Sequence, residues 1–292
     1  EPSNDRLVLV TGASGFVAGH VIKVLIEANY RVRGTVRKLS DQKKYEHLLA
    51  LPGVTSQNLH FVEADLTSSS GWEEACKDCT FAMHVASPFP SKVVKNEELE
   101  LIKPAVEGTL NVLRAAVKVG VKKVVVTSSI AAIMGGHDAE TCKKGLNEEM
   151  WSNVSAISGY IKSKTLAEKA VWDFHNQNKD KIEIACINPS LILGPIMSKN
   201  AFTSAEIVEK FMKNEYPALP RMSLGVVDVR DVARAHLLAL ENPKSNGQRY
   251  IISEKTLWME DVAQILKAEF KQHGYKITTL VVKKFLVKMM SI

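Results

Sequence analysis

Several features are missing from the sequence, and each absence argues against a class of protein. No apolar run among the 292 residues is long enough to cross a bilayer, and no signal peptide is recognisable. There is no internal repeat and no low-complexity linker. The formal net charge is +6, but the lysines and arginines are scattered rather than clustered. This scatter disfavours a nucleic-acid-binding protein. We therefore expect a cytoplasmic protein with neither a membrane nor a nucleic acid as partner.

Cysteine is also scarce. Of the four cysteines, Cys76 and Cys79 form a C-x-x-C pair, whereas Cys142 and Cys186 stand alone. No second pair is present to complete a zinc site, so we predict no metal centre. The pair itself is interpreted as two reduced cysteines near a helix–strand junction, with a redox pair as the alternative.

Apolar periodicity predicts the fold class. Hydrophobic residues make up 46% of the chain and charged residues 24%, a balance that allows a substantial core. Strands are predicted at residues 7–11, 30–36, 59–62, 81–85, 123–127 and 182–187. Helices are predicted at residues 17–28, 102–119 and 158–176, and a helix start at 72–76. This alternation is typical of an α/β protein with a Rossmann-type doubly wound parallel sheet.

The alternation weakens towards the C-terminus, where prolines interrupt the pattern. A short strand at 226–229 and a helix at 232–240, with Asp231 as its N-cap, are still predicted there. The predicted domains are a dinucleotide-binding domain over residues 1–193, to which 225–246 return, and a smaller interwoven C-terminal substrate-binding lobe over 194–224 and 247–292.

A glycine-rich turn follows the first predicted strand, and its sequence over residues 11–18 is TGASGFVA. Gly12 permits a tight turn, and Gly15 removes a side chain where the backbone must approach a pyrophosphate. The N–H groups at the following helix start can bind phosphate. The turn therefore predicts a dinucleotide site contacted by Gly12, Ser14, Gly15, Phe16 and Val17. A plain strand–helix turn is the alternative.

The end of the second predicted strand indicates which dinucleotide is bound. An NAD site usually has a carboxylate here for the ribose 2′-hydroxyl, but residues 34–38 read GTVRK. The guanidinium of Arg37 instead suits bidentate contact with a 2′-phosphate, and Lys38 and Lys44 add positive charge. NADP(H) is therefore the predicted cofactor, and solvated surface cations are the alternative.

Tyr160 and Lys164 lie four residues apart in a predicted helix, so both side chains project from one face. A phenol is a poor proton donor at neutral pH unless a nearby cation favours its ionised form. Lys164 can provide that cation, and Tyr160 can then protonate a carbonyl oxygen as hydride arrives. Ser129, at the end of a strand, would hydrogen-bond the same oxygen. These three residues are the predicted catalytic group, and a surface tyrosine and lysine are the alternative.

These motifs resemble the extended short-chain dehydrogenase/reductase family over nearly the whole chain. They are most similar to its dihydroflavonol-reductase-like branch, which includes cinnamoyl-CoA, phenylacetaldehyde and methylglyoxal/ketone reductases. The resemblance is carried by residues 11–18, 32–37, 64–66, 84–88, 106–109, 127–129, 160–168 and 188–195. Members of this branch usually continue beyond the position of Ile292, so the resemblance implies either a shortened chain or an unusual substrate lobe.

The resemblance also implies roles for residues outside the glycine turn. It points to Ser129 rather than Ser128 as the catalytic serine. Lys164 would additionally bind the nicotinamide ribose. The remaining cofactor contacts that it implies are Arg37 and Lys44 at the 2′-phosphate, Asp65 and Leu66 at the adenine, Val85, Ala86 and Ser87 at the ribose and nicotinamide, Pro189 near the nicotinamide, and Ser204 at a phosphate. Thr127 and Tyr160 are further predicted cofactor contacts.

Departures from the branch bear on the substrate. The flavonoid enzymes bind a catechol-bearing substrate through an asparagine and a glutamine, and the matching positions here are Met134 and Val226, which make no such polar contacts. The coenzyme A ligands of cinnamoyl-CoA reductases are not evident either. The prediction is therefore a small aldehyde or ketone with an apolar or aromatic group, contacted by Phe89, Met134 and Val226.

The sequence as a whole predicts an NADPH-dependent carbonyl reductase, a monomer or homodimer whose partner is a small-molecule substrate. One alternative is a sugar-nucleotide epimerase or dehydratase, or a hydroxysteroid dehydrogenase, of the same fold. The missing second-strand carboxylate counts against the NAD-dependent sugar enzymes. The other alternative is a non-catalytic NADPH-sensing protein, against which the retained tyrosine–lysine pair counts.

Overall fold

A computed structural model describes residues 6–88, 94–198, 204 and 206–282. The strands are β1 (Leu7–Val10), β2 (Arg31–Val36), β3 (Leu59–Glu63), β4 (Phe81–His84), β5 (Lys123–Thr127), β6 (Glu183–Pro189), β7 (Leu191–Leu193), β8 (Leu219–Pro220), β9 (Ser223–Asp228), β10 (Gln248–Ile252), β11 (Lys255–Trp258) and β12 (Val281–Val282). The α-helices are α1 (Phe16–Glu27), α2 (Glu46–Leu49), α3 (Trp72–Cys76), α4 (Lys103–Val119), α5 (Ala131–Met134), α6 (Ala139–Lys144), α7 (Gly159–Gln177), α8 (Glu206–Met212), α9 (Val229–Glu241) and α10 (Met259–Phe270).

The main sheet has the strand order β3–β2–β1–β4–β5–β6–β10, and every neighbouring pair is parallel. The carboxyl ends of these strands therefore meet at one edge. Helices cover both faces, which explains why the central strands alternate little between apolar and polar residues. The predicted Rossmann-type fold is confirmed.

Each face of the sheet has its own core. Val125 of β5 packs in one core with α1 and α9, whereas its neighbours Val124 and Val126 pack in the other with α3, α4 and α7. All three valines are buried because successive side chains of a strand point to opposite faces. The run of valines is thus accounted for by burial on both sides.

The segment after β9 begins its helix earlier than the sequence predicts. Asp228, not Asp231, is the N-cap of α9, because its side chain accepts a hydrogen bond from the backbone N–H of Arg230 at 2.8 Å. Asp231 instead lies in the first turn of the helix. Either of these two aspartates, three residues apart, could cap a helix. Because β9 runs to Asp228 and α9 begins at the next residue, Asp228 is the cap.

The position of β10 also differs from the expected arrangement. The sequence assigns residues from 247 onward to the substrate-binding lobe, but β10 pairs in parallel with β6 and completes the main sheet. Smaller units lie beyond this sheet: β7, β9 and β11 form a three-stranded sheet, and β8 pairs with β12. A third apolar core joins Phe211, Leu219 and Met259. The division into two lobes stays a prediction.

The cysteines of the C-x-x-C pair are free and buried, at the end of α3 and just before β4. Burial raises the pKa of the Cys76 thiol to about 12 and that of Cys79 to about 11, which disfavours the reactive thiolate at neutral pH. Cys186 is buried as well, whereas Cys142 is exposed on α6. Within the described part of the chain, no helix is long and apolar enough to cross a membrane.

Candidate active site

The glycine turn sits between β1 and α1, at the carboxyl edge of the sheet. Gly12 has a φ of +66°, and a Cβ atom there would lie 2.9 Å from the Cβ of Ala86. Any larger residue at position 12 would therefore collide with the chain leaving β4. Gly15 is the N-cap of α1, so no side chain covers the first N–H groups of this helix.

A buried histidine connects the turn to its neighbours. The hydroxyl of Thr11 lies 3.0 Å from Nδ1 of His84 and accepts a hydrogen bond from the N–H of Ala86 at 2.9 Å. On the other side of the ring, Nε2 of His84 lies 3.2 Å from the hydroxyl of Thr109 in α4. These contacts join β1, β4 and α4 directly below the predicted cofactor site.

The end of β2 presents positive charge. Arg37 is exposed. The pKa of Asp65 is lowered first by the hydrogen bond from the N–H of Thr67 and further by the charge of the Arg37 guanidinium. No motif of the sequence singles out Glu63, yet its carboxylate accepts a hydrogen bond from the N–H of Leu39 at 2.6 Å and orients the chain after Arg37. Lys44 differs from Arg37, since its ammonium is paired with Asp41 at 2.6 Å.

The predicted tyrosine–lysine pair lies in the first turns of α7. Gly159 begins this helix with a φ of +58°, and Tyr160 follows immediately. Nζ of Lys164 lies 5.9 Å from the centroid of the Tyr160 ring. The tyrosine is 42% exposed and the lysine only 9%, so the ring faces outward above a mostly buried ammonium group. The structure thus brings together the two side chains that the spacing predicts.

Ser129 lies between the end of β5 and the start of α5. Its Oγ accepts a hydrogen bond from the N–H of Ala131 at the start of α5. Helix α5 packs closely against α7, because a Cβ atom at Gly135 would lie only 2.6 Å from Cγ2 of Ile161. The adjacent Ser128 is buried, and its hydroxyl donates to Glu168 instead. Of the two serines, Ser128 is therefore the one whose hydroxyl donates into the core.

A cavity of about 20 Å³ lies under this edge of the sheet, between α4 and α7. Its polar lining comes from His84, Ser87, Thr109, Thr127, Ser128, Lys164 and Glu168. Lys164 therefore borders a polar interior. This setting allows a largely buried ammonium group to keep polar neighbours on its inner side.

The other predicted cofactor residues occupy several positions around the edge. Ser14, Phe16, Val17, Leu66 and Val85 are half-buried, Ser87 is exposed and Pro189 is buried. Thr127 lies at the end of β5, where its hydroxyl and Nε2 of His236 are 2.6 Å apart. Ser204 is half-buried, and its carbonyl accepts from the N–H of Ile207.

The predicted substrate residues differ in exposure. Met134 is 47% exposed at the end of α5, whereas Val226 is 6% exposed within β9. Phe89 lies outside the described residues. A buried polar group that the sequence analysis did not single out lies behind the site and is formed by Glu168, Asn188 and Arg249.

Two buried histidines should make the free energy of unfolding depend on pH. Burial, aided by the charge of Lys164, lowers the pKa of His84 to about 3, and burial lowers that of His236 to about 4. Both are neutral in the folded protein at pH 5, whereas an unfolded chain protonates them below about 6.5. The free energy of unfolding should therefore fall as the pH drops from about 6.5 towards 4, by up to about 1.4 kcal/mol per pH unit for each histidine.

Urea unfolding at several pH values from about 4.5 to about 7.5 would measure the slope of the free energy of unfolding against pH. The substitution His236→Asn should make the slope shallower whatever its effect on stability at pH 7. His273→Asn is the matched control, since it makes the same exchange of side chains at an exposed position. An unchanged slope in His236→Asn would contradict the assignment.

Comparison with known proteins agrees with this fold. Residues 8–253 match the NAD dependent epimerase/dehydratase family. A cinnamoyl-CoA reductase of Medicago truncatula is 36% identical over 267 residues, which cover 90% of this chain and 80% of the relative. The crystal structure of Gre2 from Candida albicans in complex with NADPH has a TM-score of 0.80 and 33% identity, covering 95% of this chain and 86% of that one. Yeast methylglyoxal/isovaleraldehyde reductase Gre2 complexed with NADPH has a TM-score of 0.81 and 30% identity, covering 98% and 93%.

The chain belongs to the NAD dependent epimerase/dehydratase family, which comprises extended short-chain dehydrogenases/reductases. The predicted resemblance to the dihydroflavonol-reductase-like branch is confirmed. The predicted class of enzyme, an NADP(H)-dependent oxidoreductase that acts on carbonyl groups, is confirmed as well.

Proposed function

We propose that this protein transfers a hydride from NADPH to the carbonyl carbon of a small aldehyde or ketone that carries an apolar or aromatic group, with Tyr160 as the proton donor. The observation that carries the proposal is the position of the Lys164 ammonium, 5.9 Å from the centroid of the Tyr160 ring, on the helix beside Ser129. This edge of the sheet also holds the glycine turn.

The residues of the glycine turn fit a dinucleotide. The close approach of Gly12 to Ala86 leaves bare backbone at the edge of the sheet, and the N–H groups at the start of α1 can receive a pyrophosphate. Asp65 and Leu66 would hold the adenine, and Val85, Ala86, Ser87, Thr127 and Pro189 would border the ribose and nicotinamide. Ser204 would bind a phosphate.

The end of β2 supports the phosphorylated cofactor. Arg37 is exposed, and Glu63 holds the chain that follows it, so the guanidinium can face a 2′-phosphate. Lys44 would join Arg37 by exchanging or sharing its partner Asp41. Because Lys44 must give up part of an existing ion pair, we expect Arg37 to contribute more of the preference for NADPH.

The chemical step follows from the charges of the site. When bound, NADPH supplies the hydride that reduces the carbonyl carbon. Ser129 and Tyr160 would both hydrogen-bond the carbonyl oxygen as it gains negative charge, and Tyr160 would then give it a proton. The nearby ammonium of Lys164 stabilises the phenolate that remains. Lys164 would also hold the hydroxyls of the nicotinamide ribose.

The surroundings of Tyr160 favour an apolar substrate. Met134 is exposed and lies next to Gly135, whose backbone packs on Ile161, the residue that follows Tyr160. Neither Met134 nor Val226 can donate a hydrogen bond from its side chain. A substrate that presents hydroxyl groups on this side would lose its hydrogen bonds to water without replacing them.

The test is oxidation of NADPH in the presence of a panel of aldehydes, ketones, dihydroflavonols and sugar nucleotides. We expect turnover with small apolar or aromatic carbonyl compounds at a kcat/KM at least about tenfold above that of the dihydroflavonols, a difference of about 1.4 kcal/mol. Turnover confined to sugar nucleotides, or tight NADPH binding with no turnover on any member, would refute the proposal.

A further inference from the structure

The backbone of Ser129 is held from the neighbouring strand end. The side-chain Nδ2 of Asn188 donates a hydrogen bond to the carbonyl oxygen of Ser129 at 3.1 Å. Backbone hydrogen bonds on either side, from Ser128 to Ile187 at 2.8 Å and from Ile130 to Pro189 at 3.0 Å, keep the two chain segments in register. Asn188 is therefore the side chain that crosses between the end of β6 and the predicted catalytic serine.

Asn188 is in turn held by a buried carboxylate. Its Nδ2 lies 2.6 Å from Oε2 of Glu168, and the asparagine has no exposed surface. Within the described residues, Oδ1 of Asn188 has no hydrogen-bond partner, so the amide is oriented by its donor side alone. Glu168 also accepts hydrogen bonds from Ser128, Trp172 and Arg249. Four donors thus converge on a single carboxylate.

Glu168 lies on α7, the helix that also carries Tyr160, the predicted proton donor. It lies one turn beyond Lys164 and two turns beyond Tyr160 in α7, about 12 Å from the tyrosine along the helix axis. Arg249 of β10 pairs with Glu168 and donates to the carbonyls of Glu148 and Met150 at 2.7 Å, which fixes the carboxylate from the far edge of the sheet. The contact between Glu168 and Asn188 therefore connects the helix of Tyr160 to the strand end of Ser129.

We propose that Asn188 is a positioning residue: held by Glu168, it fixes Ser129 relative to α7, so that the hydroxyls of Ser129 and Tyr160 reach the same carbonyl oxygen. This inference rests on the proposed function for its effect on turnover. A displacement of about 1 Å in such a group can reduce a rate about 100-fold. Without Asn188, the carbonyl of Ser129 would keep its hydrogen bond from the N–H of Ala132 but would lose the side chain that connects it to Glu168 on α7.

Two matched substitutions test the proposal. Asn188→Ala and Ser128→Ala each remove one donor from Glu168 and leave it three. Only Asn188→Ala removes the side-chain donor from the carbonyl of Ser129, which then still accepts a hydrogen bond from the N–H of Ala132 at 3.0 Å. We expect kcat to fall about 10- to 100-fold in Asn188→Ala, with the Kd for NADPH within about threefold of wild type, and to change less than about threefold in Ser128→Ala.

Two further measurements separate positioning from a general loss of structure. The primary isotope effect on kcat, with NADPH deuterated at the transferred position, should rise in Asn188→Ala because the chemical step becomes slower. It should stay at the wild-type value if the variant merely lowers the fraction of folded enzyme. Equal losses of kcat in both variants, or an unchanged isotope effect in Asn188→Ala, would overturn the proposal.

Amide hydrogen exchange tests the same contact without turnover. Exchange at Ile130, Ala131 and Ala132 should quicken about tenfold or more in Asn188→Ala and stay near wild type in Ser128→Ala. Wild-type protein that reduces no carbonyl compound would refute the proposed function alone, since the exchange result still stands. Unchanged exchange in Asn188→Ala would refute the positioning role even if the protein proves to be a reductase.

Discussion

The substitution Tyr160→Phe is expected to reduce turnover by about 10²- to 10⁴-fold while NADPH binding stays close to wild type. The phenylalanine keeps the ring that stands above Lys164 but has no proton to donate. Because the ring is 42% exposed, loss of its hydroxyl should cost little stability. The effect should therefore appear in kcat and leave the fold intact.

The measurement is steady-state kinetics with a carbonyl substrate, combined with fluorescence titration of NADPH. Tyr275→Phe is the matched control, since that tyrosine is similarly exposed, at 45%, and packs against Phe270 near the end of α10. Activity of Tyr160→Phe within about tenfold of wild type would show that another group supplies the proton.

The substitution Arg37→Ala is expected to weaken NADPH binding about 10- to 100-fold and to change NADH binding less than about threefold. Only NADPH has the 2′-phosphate that this guanidinium would contact. The nearby Asp65 stays in place, since the N–H of Thr67 holds its carboxylate at 2.8 Å. Loss of Arg37 should thus remove the phosphate contact without disturbing the adenine side.

Titration of both cofactors against the same preparation measures the ratio of the two dissociation constants. Lys43→Ala is the control, because it removes one positive charge from an exposed residue of the same region. A general electrostatic effect would lower the affinity for NADPH similarly in the two variants. Equal weakening of NADPH and NADH in Arg37→Ala would contradict the assignment of this residue.

Local signals were enough to predict the nucleotide-binding half of the fold. The alternation of buried strands and amphipathic helices predicts β1 to β6 and their order of appearance, and glycine spacing predicts the turn at Gly12 and Gly15. The sequence instead predicts that β10 belongs to the substrate-binding lobe, because its membership of the main sheet depends on pairing with β6, more than sixty residues earlier in the chain. The cap of α9 was displaced by three residues because two aspartates compete at the same boundary.

The residues of the candidate site are likewise predictable only where the signal in the sequence is local. Tyr160 and Lys164 were found because their spacing is local, and Ser129 because it ends a strand. The group behind them joins Glu168 to Asn188, 20 residues away, and to Arg249, 81 residues away, and no local pattern reports such contacts. One signal was present: Glu168 continues the four-residue spacing of Tyr160 and Lys164 and so shares their helix face.

The distribution of thiols makes the protein convenient for single-site labelling. Three of its four cysteines are buried, and burial keeps the thiols of Cys76 and Cys79 protonated at neutral pH. A maleimide dye would therefore react at Cys142, on the short helix that follows α5. The natural sequence can thus accept one fluorophore for distance or polarisation measurements without first having its other cysteines removed.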